Sequence, residues 1–561
     1  MGFLGILEDK HLLHVPATVV LEEQQEQDAT LFRGEGLKHG TGRHAHIVLV
    51  PQPSDDPNDP LNFSSTKKLI MMLIVGFGSI LYAATVAPLL SPGLVVIATE
   101  FNRPIGDITV ISGYLLLVVG ATGPFVSALS RKWGKRPVLL LSSLFGLIGT
   151  IIGSCANTYD TLLAARIVQG FSISAFESLI ISMIGDLYFV HQRGHFMAMM
   201  QFIMGAASNF SAVICGPVTA NLGWKYLFHM FIPFAAIECI LLFLFVPETQ
   251  YIRDRRYELD EIAADDTTTV TTQKREDSTQ IESLESPSSP QGITTTTPVP
   301  PPKTFWQQTA IFTGTYSADN FLQLTIAPFA VCLNLAVLWI VIASGMAVAF
   351  LVAQSYVMAQ LFSAPPYLLS ASGVGYLSMG PFIGGLLGAL AAGAASDPLI
   401  TWAARRNNRS TGGAVYEPEY RLLLVAPGLL MGAGLMLFGY LAERQVSFYA
   451  TATAHGIDVF GILFVAIAAG AYGIDAYRDM SSEIFIIGMV FKNFVFYGFS
   501  YFVNDWTARA GPAQVFYVMG GVGFALVLSA PPLFFFGKRY RSWWHRHNLL
   551  EKLHVKTHAE L

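Results

Sequence analysis

A few ionisable side chains sit inside stretches that are otherwise apolar, and these could do chemistry. Arg166 and Glu177 share the run LLAARIVQGFSISAFESL. Eleven residues at about 100° each close roughly three turns, so the two fall on one helical face, with Gln169 and Gly170 on or near it. An ionisable group at the centre of a bilayer costs roughly 2.5–3.5 kcal/mol on insertion scales, so such a stripe must face protein or water. Binding of a substrate or proton is one reading, a helix-to-helix ion pair the other. Lys492, in GMVFKNFVFYGFSYFVNDW, is too deep to reach an interface easily. Asn493, Tyr497, Ser500 and Asn504 follow it at spacings of four, three and four. That stripe suits either a binding cavity or interhelical hydrogen bonding. Glu238 stands alone among apolar residues and reads first as structural, with proton coupling as the alternative. Tyr82, Gln354 and Tyr356 offer aromatic and amide contacts to a flat or cationic organic ligand. Asp458 is expected near the outer start of its run, where water reaches it.

The elements that must position these residues are long apolar helices. The chain is 52% hydrophobic and only 13% charged, about half the charged fraction of a soluble domain. Runs long enough to span a bilayer begin near Leu69, Ile108, Pro137, Thr161, Phe196 and Tyr226, and again near Phe329, Ala371, Tyr420, Ala454, Ser482 and Gln514. Between the two sets of six lies a segment rich in charge, Ser, Thr and Pro, which cannot bury enough surface to fold and reads as a disordered linker. The expected organisation is a polar tail over 1–66, a six-helix bundle over 67–247, a linker over 248–327, a second bundle over 328–537 and a tail over 538–561. Lys and Arg cluster in alternate loops, which puts both termini and the linker in the cytosol. Cys155, Cys215, Cys239 and Cys332 show no ligand spacing and read as packing residues. No metal, cofactor or nucleic-acid partner is expected. KWGKRP lacks the phosphate-binding G-x-x-x-x-G-K-[ST] pattern, which argues against an ATP-driven pump. No triad or metal constellation suggests an enzyme.

The densest early cluster of charge, SALSRKWGKRPVLLL, follows the second run. Leu129, Gly134, Lys135 and Arg136 match the loop signature of the major facilitator superfamily, which this chain resembles over nearly its whole length outside the linker and extreme tails. Ser127 replaces the first glycine of that signature, and Arg131 stands where the family has an acid. In the second half, Gly393 and Asp397 keep the glycine-to-acid spacing. Leu162, Arg166, Gln169 and Gly170 match the family's L-x-x-x-R-x-x-Q-G pattern. Gly216 and Pro217 match the core of the element associated with proton-coupled antiporters, with Ala212, Ala220 and Asn221 in place of its flanking glycines. The segments HVPATVVLE, DPLNF, VPETQYIRDR, FSAPPYLLSASGVGYL and YGIDAYRDM resemble fungal drug and polyamine transporters of the twelve-span type.

The resemblance implies an all-α membrane protein with twelve helices in two pseudo-symmetric bundles. It implies alternating access, with Tyr82, Gln354 and Tyr356 on equivalent cavity-lining helices. Glu177 is then the first choice for a proton-linked or cation-binding carboxylate, with Arg166 modulating it. Arg131, Gly134, Lys135, Arg136 and Asp397 become gating loops, the first-half latch using Lys135 and Arg136 against acids elsewhere. The expected activity is proton-coupled export of a small organic compound by a monomer in the plasma membrane. Uptake of an organic cation or polyamine is the alternative, and a nutrient sensor that does not transport is a third.

Overall fold

The computed structural model describes residues 3–9, 12, 15–20, 53–189, 208–251, 301–317, 319–407 and 415–552. Its helices are α1 (Ser65–Phe101, interrupted), α2 (Ile105–Trp133), α3 (Lys135–Ser154), α4 (Tyr159–Leu187), α5 (Ser208–Leu222) and α6 (Lys225–Phe245), then α7 (Leu335–Phe362), α8 (Ala371–Asn407), α9 (Pro418–Glu443), α10 (Phe448–Ala476), α11 (Arg478–Ala510) and α12 (Pro512–Lys552). Among the described residues, 11 helices are long and apolar enough to cross a membrane. The fifth run's expected start at Phe196 and most of the linker lie outside the described residues. The seventh run, expected from Phe329, is divided: a short helix, Phe321–Ala330, precedes α7.

The helix ends follow from local chemistry. Thr158 caps α4 by accepting from the Thr161 N–H, and Asn334 caps α7 by accepting from Ala336 and Val337. Gly134 turns the chain between α2 and α3 at a φ of 95°, where a side chain would be strained. Helix α1 loses regular α geometry in a π-helical stretch, Ser79–Val86, just before Pro88 and Pro92. Proline supplies no N–H, so carbonyls there are released for other donors.

The packing repeats. In the first half α4 packs against α2 and α3, and α6 against α3; in the second, α10 packs against α8 and α9, and α12 against α9. The halves join along two equivalent seams, α2 with α11 and α5 with α8. On α5–α8 the backbones nearly touch. A Cβ at Gly216 would lie 2.6 Å from the Ala371 carbonyl oxygen, and one at Gly375 would lie 2.6 Å from that of Ala212. Gly216 is therefore a packing requirement of the seam.

Both ends of the expected linker, and part of the N-terminal tail, hold contacts on the face that carries the chain ends. The Glu248 carboxylate accepts the Lys135 N–H at 2.9 Å and the Arg136 N–H at 3.0 Å, capping α3. The Leu7 N–H donates to the Phe535 carbonyl at 3.0 Å, and Val19–Val20 pairs antiparallel with Val415–Tyr416. Ile6 and Val15 are buried there, so this part of the tail docks on the second half.

Candidate functional site

Arg166 lies at the eighth position of α4 and is fully buried. Its guanidinium donates to the Val86 carbonyl at 2.8 Å and the Ala87 carbonyl at 3.3 Å, where α1 unwinds, and to Gln169 Oε1 at 3.1 Å. Gln169 Nε2 donates onward to Thr150 Oγ1 at 3.1 Å. This chain of bonds ties α1, α3 and α4 together. Tyr356 of α7 and Cys215 of α5 lie within electrostatic range of the guanidinium, so the second half reaches it too.

Glu177 shares its helix with Arg166 but not its network. Its carboxylate forms an ion pair with Lys492 of α11. The two side chains are 13% and 26% exposed, so the pair is partly open to a ligand while it joins the two halves. Lys492 follows Phe491, which packs on Gly345 of α7, so the lysine stands where α4, α7 and α11 converge. The remaining polar residues of α11 serve the seam with α2. Asn504 Nδ2 donates to Thr109 Oγ1 at 2.8 Å, Ser500 fills the space left by Gly113, and Asn493 packs on Gly120 while donating to the Met489 carbonyl.

Tyr82 and Glu238 come together inside the first bundle, away from any open space. The Tyr82 ring is 1% exposed and lies 4.9 Å from that of Phe176; its hydroxyl donates to the Ser143 carbonyl. The Glu238 carboxylate is buried beside Gly78 and Phe176 with neither oxygen hydrogen-bonded. Gln354 and Tyr356, two residues apart on α7, face opposite ways: Tyr356 toward Arg166 and Gln354 toward Asp458 of α10. Asp458 differs from the sequence expectation. It is 0% exposed, because Gly434 of α9 packs directly on its backbone, with a Cβ there falling 2.5 Å from the Asp458 nitrogen. Sequence reasoning missed His455, one turn earlier on the same face and 1% exposed. The match appears only with the helix bounds in hand: α4 and α10 are both 29 residues long, and positions eight and eleven are Arg166 and Gln169 in one, His455 and Asp458 in the other, whereas the expected starts at Thr161 and Ala454 hide it.

The basic loop is a hub. Arg131 pairs with Glu483 of α11 at 2.7 Å, both side chains almost wholly buried. This ion pair joins the halves with the cation on the loop, where the family signature has an acid, and the acid on the partner helix. Lys135 pairs with Asp186 at the end of α4. Arg136 closes the end of α6 by donating to the Val246 and Phe243 carbonyls, and reaches the Thr309 and Ala310 carbonyls. The second half repeats the Lys135–Asp186 link as Arg421–Asp475 at 2.7 Å. Asp397 lies within α8, its side chain outside the described set. Among the described residues no group of three or more His, Cys, Asp or Glu could hold a metal ion.

Two helical bundles joined at equivalent seams, with a partly open ion pair between them, suit a carrier. The family model for the Major Facilitator Superfamily matches residues 69–473. Protein HOL1 of Saccharomyces cerevisiae is 22% identical, over 96% of this chain and 97% of its own length. The MFS-type transporter hepF of Aspergillus oryzae is 23% identical, over 81% of this chain and 86% of its own. Efflux pump dotC of Dothistroma septosporum is 23% identical, over 34% of this chain and 33% of its own. Among solved structures, a partially occluded inward open conformation of the xylose transporter XylE from E. coli superposes with a TM-score of 0.54 at 13% identity, over 83% of this chain and 97% of that one. At such identity this likeness shows the fold alone. The family match spans well over half of the sequence and the fold agrees with it: this chain belongs to the Major Facilitator Superfamily.

Proposed function

We propose that this transporter couples protons to the export of a small organic compound by alternating access. The observation that carries the reading is the Glu177–Lys492 ion pair, which bridges α4 and α11 and remains partly accessible. A pair of this kind has two arrangements. Closed, each charge compensates the other. Opened by a proton on Glu177 or by a ligand on either charge, it leaves the halves free to rock about the α2–α11 and α5–α8 seams. Removal of one partner of such a pair is costly because the other is stranded, so the proton and the ligand must act in concert. The Gly216–Pro217 element and the apolar, aromatic character of the helices support export, as does the likeness to a protein called an efflux pump. The chain would act as a monomer in the plasma membrane, with the basic face, both termini and the linker in the cytosol, as the alternation of Lys and Arg supports.

A second reading, uptake of an organic cation or polyamine, draws on the same site. Lys492 is the cation that Glu177 holds here, and a cationic ligand could take its place. Purified protein in vesicles with an imposed pH gradient separates the two, with ethidium and spermidine as probes. Export predicts gradient-driven movement of ethidium against proton flow, abolished in Glu177→Gln without loss of folded protein. Spermidine moving with the proton supports uptake instead. Gradient-driven flux in Glu177→Gln equal to wild type would remove Glu177 from the mechanism.

A further inference from the structure

The segment that leads into α7 contains a helix, Phe321–Leu333, that the Glu177–Lys492 site does not use. Its sequence, FLQLTIAPFAVCL, is apolar on every side. Asn320 caps its start by accepting the Leu322 N–H at 3.2 Å, and the Thr325 hydroxyl donates to the Phe321 carbonyl at 2.9 Å. The helix packs on both α2 and α11, the two helices of one seam between the halves, with Leu324, Ala327 and Val331 buried. The opposite face is open. Leu322, Ile326, Phe329 and Leu333 follow one another at spacings of four, three and four, which makes one stripe, and they are 62%, 48%, 48% and 48% exposed.

The surroundings restrict what covers that stripe. A helix that is apolar all round belongs in a core or in lipid, not in water. Its thirteen residues, at about 1.5 Å each, reach roughly 20 Å, short of the roughly 30 Å of hydrocarbon in a bilayer, so the helix stays within one leaflet. Its ends fix which leaflet. Before it, the Tyr316 N–H donates to the Lys132 carbonyl at 2.8 Å and Lys132 Nζ donates to the Asp319 carbonyl at 3.2 Å, at the basic end of α2. After it, the Leu335 N–H donates to the Tyr540 hydroxyl of α12 at 2.8 Å. Both pins lie toward the face that carries the chain ends. Between them the Phe321 ring lies 6.4 Å from that of Phe125, which sits about two turns inside the end of α2 and is itself 50% exposed. The open stripe therefore continues the lipid-facing surface of α2.

We propose that Phe321–Leu333 lies in the leaflet on the side of the chain ends, with its open stripe covered by lipid acyl chains, and that it braces the two halves from the lipid side. The pins belong to different halves, Lys132 to the first and Tyr540 to the second. Opening of that face must part Arg131 from Glu483 and move one pin relative to the other. The helix then shifts within the leaflet, and lipid that grips the stripe resists the shift. Ordered acyl chains hold the face closed more firmly than fluid ones, so the leaflet acts on the same seam that the ion pair does. None of this depends on which solute or ion is carried.

Spin labels read the surroundings of the stripe directly. They are placed singly through Leu322→Cys, Ile326→Cys, Phe329→Cys and Leu333→Cys, in the full chain with its four native cysteines replaced by alanine, in phosphatidylcholine vesicles. Relaxation by oxygen, which gathers among acyl chains, should exceed relaxation by a water-soluble nickel chelate at all four positions. Nickel exceeding oxygen would put the stripe in water and overturn the proposal. Poor access to both would mean that protein covers it, the linker or a second copy, and would overturn it equally. The brace has its own readout. Amide hydrogen exchange over residues 127–133 and 481–487, the helix ends that Arg131 and Glu483 hold together, reports opening of that face without any substrate. In wild type it should be slower by about threefold or more in vesicles ordered with cholesterol than in fluid ones. The difference should disappear when Ile326→Ser and Phe329→Ser are combined. Equal slowing in that variant, or none in wild type, would overturn the brace.

Discussion

The two halves of this transporter are built on one plan, and their fourth and tenth helices show where they part. Both are 29 residues long and both end in an acid that pairs with a cation on the preceding helix, Asp186 with Lys135 and Asp475 with Arg421. Higher up they diverge. Arg166 donates to carbonyls of α1 and Gln169 to a hydroxyl of α3, whereas the side-chain atoms of His455 and Asp458 have no well-formed hydrogen bond. A charge held by fixed carbonyls is a strut, and the acid at the matching place has no counter-charge among the described residues. Repetition of the scaffold thus conserves the packing of the two helices while the bonding of their buried polar side chains differs.

Several substitutions would break that contrast or sharpen it. The largest effect should come from Arg131→Asp, which sets a second acid against the buried Glu483; a loss of about 3–5 kcal/mol is expected. Thermal melting of purified protein reads it, and the exchanged pair Arg131→Glu with Glu483→Arg should recover much of the loss. Arg166→Leu removes three hydrogen bonds and should cost about 3 kcal/mol, whereas His455→Leu, at the matching position, should stay within about 1 kcal/mol of wild type. Equal losses in the two variants would erase the asymmetry of the halves. The seams come next. Gly216→Ala forces a methyl against backbone on α5–α8 and should cost about 1–3 kcal/mol. Gly120→Ala, on the equivalent α2–α11 seam, meets the side chains of Phe494 and Asn493 at 3.1 and 3.2 Å and should cost less. The smallest effect belongs to the docked tail. Glu8 is 53% exposed in its pair with Lys538, so Glu8→Gln should change melting by less than about 1 kcal/mol.

Much of this architecture is legible in the sequence, because a lipid-spanning helix must be apolar over a set length. Outside the fifth run, whose expected start lies beyond the described residues, expected helix starts fall within about six residues of observed ones, and the break at α7 arises where Asn334 caps a new helix after Phe321–Ala330. What periodicity does not give is a partner. It places Arg166 and Glu177 on one face, yet they serve different networks, since about 16 Å of helix separates them. The partner of Glu177 is in the other half of the chain, as is that of Arg131. Asp458 was expected near water because its depth was judged from the start of its run; the close approach of Gly434 that seals it is a tertiary fact. Composition gives a polar tail and a disordered linker, while Glu8, Glu248 and Thr18 find their partners only when the helix ends are assembled. The correspondence of His455 with Arg166 likewise depends on helix bounds that hydropathy places two residues late in α4 and six late in α10.

The measurement closest to the centre of this mechanism is a double-mutant cycle on the bridge between the halves. Gradient-driven ethidium flux in vesicles is compared for wild type, Glu177→Gln, Lys492→Gln and the double variant. If the pair acts as one switch, each single variant loses coupled flux and the double is no worse than either alone. Independent, multiplying losses, or coupled flux that survives in both single variants, would contradict a mechanism in which Glu177 and Lys492 join the moving halves.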